Sequence, residues 1–402
     1  MKYDFDKIVD RRGDSSYKWG LLKHFFGTED IISMTIAEMD LPVPPQVTLA
    51  MKKRLEYPIY GYTLKPESFF IAIQRWLYKN HLWEIKNDWI TTTPGVVSAI
   101  NFAIQSFTEK GENVLIQPPV YAPFFESIIA NERKILTNNL IPKQISKNKI
   151  VYEIDFIDFE EKIKQAKLFI LCSPQNPVSK VWSRDDLKKI GGLCKKYEVI
   201  VFADEVHNDI VYPGYKHNIF ANINDFKDFS LTSISPSKTF NVAGVYSSVI
   251  IIPNKEIKTK FENTMAKLGL TTSIGNVNIP PFAATILESC FTECDDWYDE
   301  LMSYLCQNKN FLTDFIEQEI PILKISEIES TFMAWIDFNE LGFSHPELIK
   351  FLVEKAKLGL DTGEKYGGKS TGYMRLNFGC SRVTLEKAIN QLKSEIMKLK
   401  YF

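Results

Sequence analysis

Between about residue 90 and residue 252 the chain alternates short, almost uniformly apolar runs with longer stretches whose apolar residues recur every three or four positions. The short runs are NVLIQ at 113–117, KLFILC at 167–172, VIVFAD at 199–204, FSLTSI at 229–234 and a serine-led run at 247–251. Apolar runs of this length, without polar alternation, predict strands buried on both faces, as in a mainly parallel sheet. The intervening stretches, opening near Gly95, Tyr121 and Ser183, predict helices. Ser183 followed by Arg184-Asp185-Asp186 offers an N-cap and places acids where the helix N-terminus attracts negative charge. Strand and helix in alternation predict an α/β layer architecture.

After about residue 290 the rhythm changes. A long helical stretch over 295–319 leads to ILKIS and TFMAWIDF, then to a helix near 346–357, a short YMRLNF run and a final helix from 383. This predicts a smaller α+β unit completed by roughly the first 40 residues. The expected division is a large domain over 45–288 and a small domain formed by 1–44 with 289–402.

Composition narrows the class. With 402 residues, 45% hydrophobic and 24% charged, the chain is expected to fold into two or three domains and to bury a substantial core. Its 48 Lys and Arg against 50 Asp and Glu leave a net charge of −2, so no global field favours nucleic acid or an acidic membrane. No uncharged run approaches a membrane span. The opening MKYDFDKIVD carries three Asp and no apolar block, unlike a secretory signal. Six cysteines, at 172, 194, 290, 294, 306 and 380, do not form a disulfide-framework pattern. A cytoplasmic protein is expected.

Four polar segments interrupt the apolar pattern at or just beyond predicted strands, the edge where parallel α/β sheets place ligands. They are Ser173-Pro174-Gln175-Asn176-Pro177, Asp204-Glu205-Val206-His207, Ser235-Pro236-Ser237-Lys238 and Arg375-Leu376-Asn377. A lysine partly stripped of water forms Schiff bases with aldehydes and then moves protons, although Lys238 also fits an ordinary loop lysine. Asp204 ends an apolar run, where a carboxylate needs a cation such as a protonated pyridine nitrogen, or merely caps a turn. His207, three residues on, faces the same site or solvent. Glu205 and His207 have no second ligand cluster, and Cys290 and Cys294 read as half-buried helix positions, so no metal is expected. Thr93-Pro94-Gly95-Val96 opens a helix whose free N–H groups suit a phosphate, or is a plain strand-to-helix turn. Arg375, in an apolar strand, suits bidentate capture of a carboxylate or a structural ion pair.

Taken together, these segments resemble the fold type I PLP-dependent aminotransferase superfamily, in its cystathionine β-lyase (MalY/PatB-type C–S lyase) branch. The resemblance runs through FDKIVDRRGDSSYKW at 5–19, IAEMDLPVPP at 36–45, YGYT at 60–63 and the stretch from Thr93 to Phe125. It continues in LFILCSPQNPVSKVW, DEVHNDIVYPGYKH, SPSKTFNVAG and YMRLNFGCSR. It implies a large domain with a mainly parallel seven-stranded sheet flanked by helices, plus a smaller α+β domain. It also implies pyridoxal 5'-phosphate (PLP) as cofactor, a small amino-acid substrate, and a homodimer with its site at the subunit interface.

Position by position, the resemblance gives Lys238 the Schiff base and the Cα proton, and Asp204 the pyridine nitrogen. His207 and Asn176 fall beside the ring oxygen, and Tyr121 on the ring face. Gly95, Val96, Ser235 and Tyr62 of a neighbouring subunit fall to the phosphate. Arg375 takes the substrate carboxylate, helped by Asn176 and the backbone at Ala37. The implied reaction is β-elimination from L-cystathionine or related cysteine S-conjugates, giving a thiol, pyruvate and ammonia. An aminotransferase and a regulatory binding protein on the same fold are the alternatives. Three departures stand out: Gln175 where the branch usually has His, Ser179 where it has Gly, and Tyr246 where many aminotransferases have a phosphate-binding Arg.

Overall fold

The computed structural model describes residues 2–271 and 279–399. The strands of its two larger sheets begin with β1 (Ile90–Thr93), β2 (Asn113–Ile116), β3 (Lys134–Thr137), β4 (Ile141–Gln144) and β5 (Lys149–Glu153). They continue with β6 (Leu168–Cys172), β7 (Ile200–Asp204), β8 (Ser230–Ile234) and β9 (Ser248–Ile251). The last four are β10 (Lys324–Ser326), β11 (Met333–Asp337), β12 (Asp361–Thr362) and β13 (Tyr373–Asn377).

Seven strands form the large sheet in the order β1-β9-β8-β7-β6-β2-β3. Every pairing is parallel except those of β9, which runs antiparallel to β1 and β8. The serine-led run at 247–251 is therefore the antiparallel member of an otherwise parallel sheet. All residues of β1, β6, β8 and β9 are buried, which is why these strands carry no polar alternation. Helix α1 (Glu67–His81) buries Phe69, Ala72, Ile73, Trp76 and Leu77. Helix α2 (Val96–Phe107) buries Ala99, Ile100, Phe102, Ala103 and Ile104, and α3 spans Pro123–Ala130.

Helix α4 (Arg184–Lys196) starts as the sequence predicts, with the Ser183 hydroxyl accepting from the Asp186 N–H at 3.0 Å. Its buried face is Leu187, Ile190, Gly191 and Cys194, a single helical stripe. Gly191 is required there, because a β-carbon would lie 2.1–2.5 Å from the Phe226 ring.

The second sheet has six strands in the order β12-β13-β11-β10-β5-β4, with only β10 and β5 parallel. Strands β4 and β5 come from within the 45–288 stretch, so this sheet draws on both stretches of chain. Ile32–Ser33 pairs in parallel with Leu358–Gly359, tying the N-terminal segment alongside. Helix α6 spans Asp295–Glu319, and a helix over His345–Lys350 passes into a π-turn at Phe351–Lys355. Cys290 and Cys294 are both fully buried rather than half-buried, and Cys294 caps the junction between two helices. Among the described residues no helix is long and apolar enough to cross a membrane.

Candidate active site

The C-terminal ends of β1, β6, β7 and β8 open onto one edge of the large sheet, and there lies a cavity of about 540 Å³. Its wall includes nine of the residues expected from sequence: Ala37, Gly95, Val96, Tyr121, Asn176, Asp204, His207, Ser235 and Lys238. Arg375 stands one hydrogen bond behind this wall. It lies in the middle of β13 in the second sheet, not at the end of a parallel strand. Tyr62 is elsewhere: it is fully exposed and borders an adjacent cavity of about 530 Å³. The two cavities share Pro94, Tyr246 and Ser247.

Lys238 sits in a helical turn, α5 (Pro236–Thr239), capped by the Ser235 hydroxyl, which accepts from Ser237 N–H and donates to the Ser247 carbonyl. The Lys238 Nζ donates to the Ala37 carbonyl at 2.7 Å. Burial, and after it the positive charge of Arg375, pull the amine down to about 8, while Glu38 and Asp204 act in the opposite sense. This is no free loop lysine.

Asp204 closes β7, and its Oδ1 accepts from the Val206 N–H and the Ser233 hydroxyl, each at 3.3 Å. Burial pushes the carboxyl up to about 6 against those donors, and among the described residues it forms no ion pair. A buried carboxylate at a cavity wall without a cation is what a protonated ring nitrogen would complete. His207 is buried, so the solvent-facing reading fails. Burial, Lys238 and Arg375 hold its imidazole neutral, and its Nδ1 has no partner among the described residues. Tyr121 is pushed up to about 12, first by burial and then by Asp204, and so presents a neutral ring and hydroxyl.

Asn176 follows β6, and its Oδ1 accepts from Arg375 Nη1 at 3.0 Å. That bond fixes the amide so that Nδ2 is left as the donor. At the opposite end, Gly95 (φ +86°) precedes α2, and the N–H groups of the first helical turn have no capping side chain among the described residues. These groups match PLP at each point: an amine for the aldehyde, an anion for the ring nitrogen, amide donors for the ring oxygen and backbone donors for the phosphate.

Two of the sequence departures are absorbed locally. Gln175 is buried, and its Nε2 donates to the carbonyls of Gln117 and Pro119, both at 2.9 Å, which steadies the loop leading to Tyr121. Ser179 does adopt a left-handed backbone (φ +58°). Its hydroxyl bonds Thr331 Oγ1 at 2.8 Å and the Met333 carbonyl at 2.7 Å, which offsets a conformation glycine would take without cost. Tyr246 also has φ > 0 and lies at the junction of the two cavities.

The sequence reading missed Asp361 and Tyr366. Asp361 lies opposite Arg375 in the β12–β13 register and forms an ion pair with it. The Arg375 guanidinium also lies over the Tyr366 ring, 5.1 Å from its centroid. Asp361 carries the signal that identified Asp204, an acid following an apolar run, here in Leu358-Gly359-Leu360. Tyr366 offers no comparable signal.

The class I and II aminotransferase family model matches residues 29–392. The chain is 39% identical to cystathionine beta-lyase PatB of Bacillus subtilis over 98% of its own length and 100% of that protein. It is 30% identical to protein MalY of Escherichia coli over 98% of its length and 99% of that protein. Among solved structures, cystalysin from Treponema denticola, which contains a pyridoxal 5'-phosphate cofactor, superposes with a TM-score of 0.93. It is 32% identical, with 99% of this chain and 100% of that one covered. The PLP-bound C–S lyase from Staphylococcus hominis gives a TM-score of 0.88 at 27% identity, with 98% of each chain covered.

Proposed function

We propose, from the premise that the chain belongs to the aminotransferase class I and II family, that it cleaves L-cystathionine to homocysteine, pyruvate and ammonia. The chemistry is that of a PLP-dependent carbon–sulfur β-lyase on the fold type I scaffold. The observation that carries the assignment is the convergence of Lys238, Asp204 and Asn176 on one cavity wall, with Arg375 hydrogen-bonded to Asn176 behind it.

When bound, PLP supplies an electron sink for negative charge developing at the substrate Cα. The protein's part can be read from its side chains. An amine at about 8 is unprotonated often enough near neutral pH for Lys238 to bind the aldehyde and later to take the Cα proton. Asp204 keeps a proton on the ring nitrogen by placing a desolvated negative charge beside it. Asn176 Nδ2 and His207 would hold the ring oxygen, and Tyr121 would pack against the ring. Gly95, Val96 and Ser235 take the phosphate, with neutral donors in place of the missing arginine. Arg375 receives the substrate carboxylate with the backbone at Ala37, so that the Cα–H bond is presented to Lys238. Loss of that proton and of the Cβ–S bond releases the thiol, and water converts the remainder to pyruvate and ammonia.

The reading includes a homodimer. Tyr57, Ile59, Tyr60, Tyr62 and Leu64 form a run of exposed large side chains beside the cavity that abuts the site. A second copy covering this run brings Tyr62 to the phosphate end of its neighbour's site. The 45–288 stretch as large domain, with 1–44 and 289–402 as the small one, belongs to the same reading. So do a cytoplasmic location, supported by six free cysteines, and a role in methionine biosynthesis, supported by homocysteine as product.

The test is pyruvate formed per active site from L-cystathionine with PLP present and no keto acid added. Many turnovers per site support the lyase. A yield no greater than one keto product per site transfers the protein to the aminotransferases.

A further inference from the structure

Ile36 borders the active-site cavity with φ +58°, a left-handed backbone that a β-branched residue rarely adopts unless its surroundings enforce it. The enforcing groups are visible. Ile36 N–H donates to Asp361 Oδ2 at 3.1 Å, and Asn377 Nδ2 donates to the Ile36 carbonyl at 2.6 Å. The next residue, Ala37, supplies the carbonyl that accepts from Lys238. Asp361 thus anchors the backbone at Ile36, two peptide units before the one that meets the reactive amine.

The same carboxylate organises the carboxylate-binding side. Its Oδ2 also accepts from Arg375 Nη2, and its Oδ1 accepts from Lys365 Nζ. Both Asp361 and Arg375 are buried, and Asn176 holds the other terminal nitrogen of the guanidinium. Arg375 Nε has no partner among the described residues. Two cations against one anion leave this corner with a net positive charge, so it still attracts an incoming carboxylate. The guanidinium is held in place at two of its three nitrogens before any substrate arrives.

We infer that Asp361 is a positioning residue that couples the two sides of substrate capture, holding Arg375 in its carboxylate-binding orientation and Ile36-Ala37 in the strained backbone beside Lys238. This rests on the reading of Arg375 as the group that binds the substrate carboxylate. Asp361 touches neither the substrate nor the amine. It acts through Arg375 and through the Ile36 peptide.

The test uses PLP-loaded protein and 3-(methylthio)propionate, a carboxylate with no amino group to react, with its Kd read by calorimetry. Asp361→Asn sets an N–H₂ donor against the guanidinium and frees Arg375 from its orientation, so the Kd is expected to rise about tenfold even though the lost negative charge by itself favours an anion. In parallel, KM for L-cystathionine rises by more than kcat falls, because Asp361 meets Arg375 directly and reaches Lys238 only through the Ile36-Ala37 backbone. The discriminating arm is Ile36→Gly, because glycine holds φ > 0 without help. In that background the cost of Asp361→Asn shrinks to about threefold. A general loss of stability would not produce that rescue. Asp361→Ser replaces the carboxamide variant if the latter fails to fold. An unchanged Kd in the single variant, or an identical penalty with Ile and with Gly at position 36, overturns the inference. The binding ratio does not depend on turnover, so a wild-type protein that forms no pyruvate sinks the lyase assignment and leaves Asp361 to be judged by the ratio.

Discussion

A lysine that attacks an aldehyde near neutral pH must spend part of its time unprotonated, and the surroundings of Lys238 make that requirement measurable. Moving its amine from 10.5 to about 8 shifts the balance between neutral and charged forms by roughly 3 kcal/mol. At pH 7 about a tenth of the molecules then carry the free amine, against fewer than about one in a thousand for an ordinary lysine. Burial is the larger cause and Arg375 the next. Arg375→Leu should therefore move the midpoint only part of the way back, and Glu38→Gln should move it further down. Competitive acetylation of the cofactor-free protein across pH, read on the Lys238 peptide by mass spectrometry, gives the midpoint directly. Stability offers a second reading. Between about pH 8 and 10.5 the unfolded chain keeps a proton that the folded one has lost. The Lys238 contribution is thus present above 10.5 and lost as pH falls through about 8. A labelling midpoint at or above pH 10, insensitive to Arg375→Leu, would refute the reasoning.

Other expectations follow from single contacts. Lys238→Ala and Tyr62→Ala, each impaired alone, should recover about a quarter of wild-type activity when co-expressed, because random dimers leave one intact site in half the molecules. Activity no higher than the sum of the separate variants would place Tyr62 in its own chain's site or in none. Ser179→Ala keeps the left-handed strain and loses two hydrogen bonds, so its thermal midpoint should fall below that of Ser179→Gly, which sheds about 1 kcal/mol of strain. The reverse order in a melting experiment contradicts this account of position 179. Gly191→Ala drives a methyl into the Phe226 ring and should cost about 1–3 kcal/mol of stability while leaving KM unchanged. An unaltered melting curve would mean that the ring moves aside freely.

The large sheet was legible where burial is complete. Strands β6, β7 and β8 are apolar or small at nearly every position because helices cover both faces, and each ends in a polar segment at the site. Strand β4 escaped notice because all four of its residues are exposed, which leaves no hydrophobic period to detect. Asp204 was legible as the polar end of an apolar run, and Lys238 and Asn176 as members of the short polar segments that follow such runs. Asp361 carried that signal too, but its meaning depends on the β12–β13 register, which sets it against Arg375. The strain at Ile36 was out of reach altogether. Its cause is a carboxylate 325 residues away.

The phosphate end explains why one chain is an incomplete enzyme on this reading. Among the described residues lining the cavity, Lys238 and the neutral His207 are the only basic side chains, and neither belongs to the Gly95 end. The positive end of α2 supplies roughly half an elementary charge, well short of a phosphate's one and a half to two. Tyr246 occupies the position of the absent arginine, largely exposed and held at φ +50° where the two cavities meet. The tyrosines beside it, at 60 and 62, are exposed in turn. A subunit interface here would exclude water from the phosphate and strengthen every remaining donor, including the Tyr62 hydroxyl of the second copy. Cofactor retention and dimerisation should therefore be one equilibrium: dilution that separates the subunits should also release PLP.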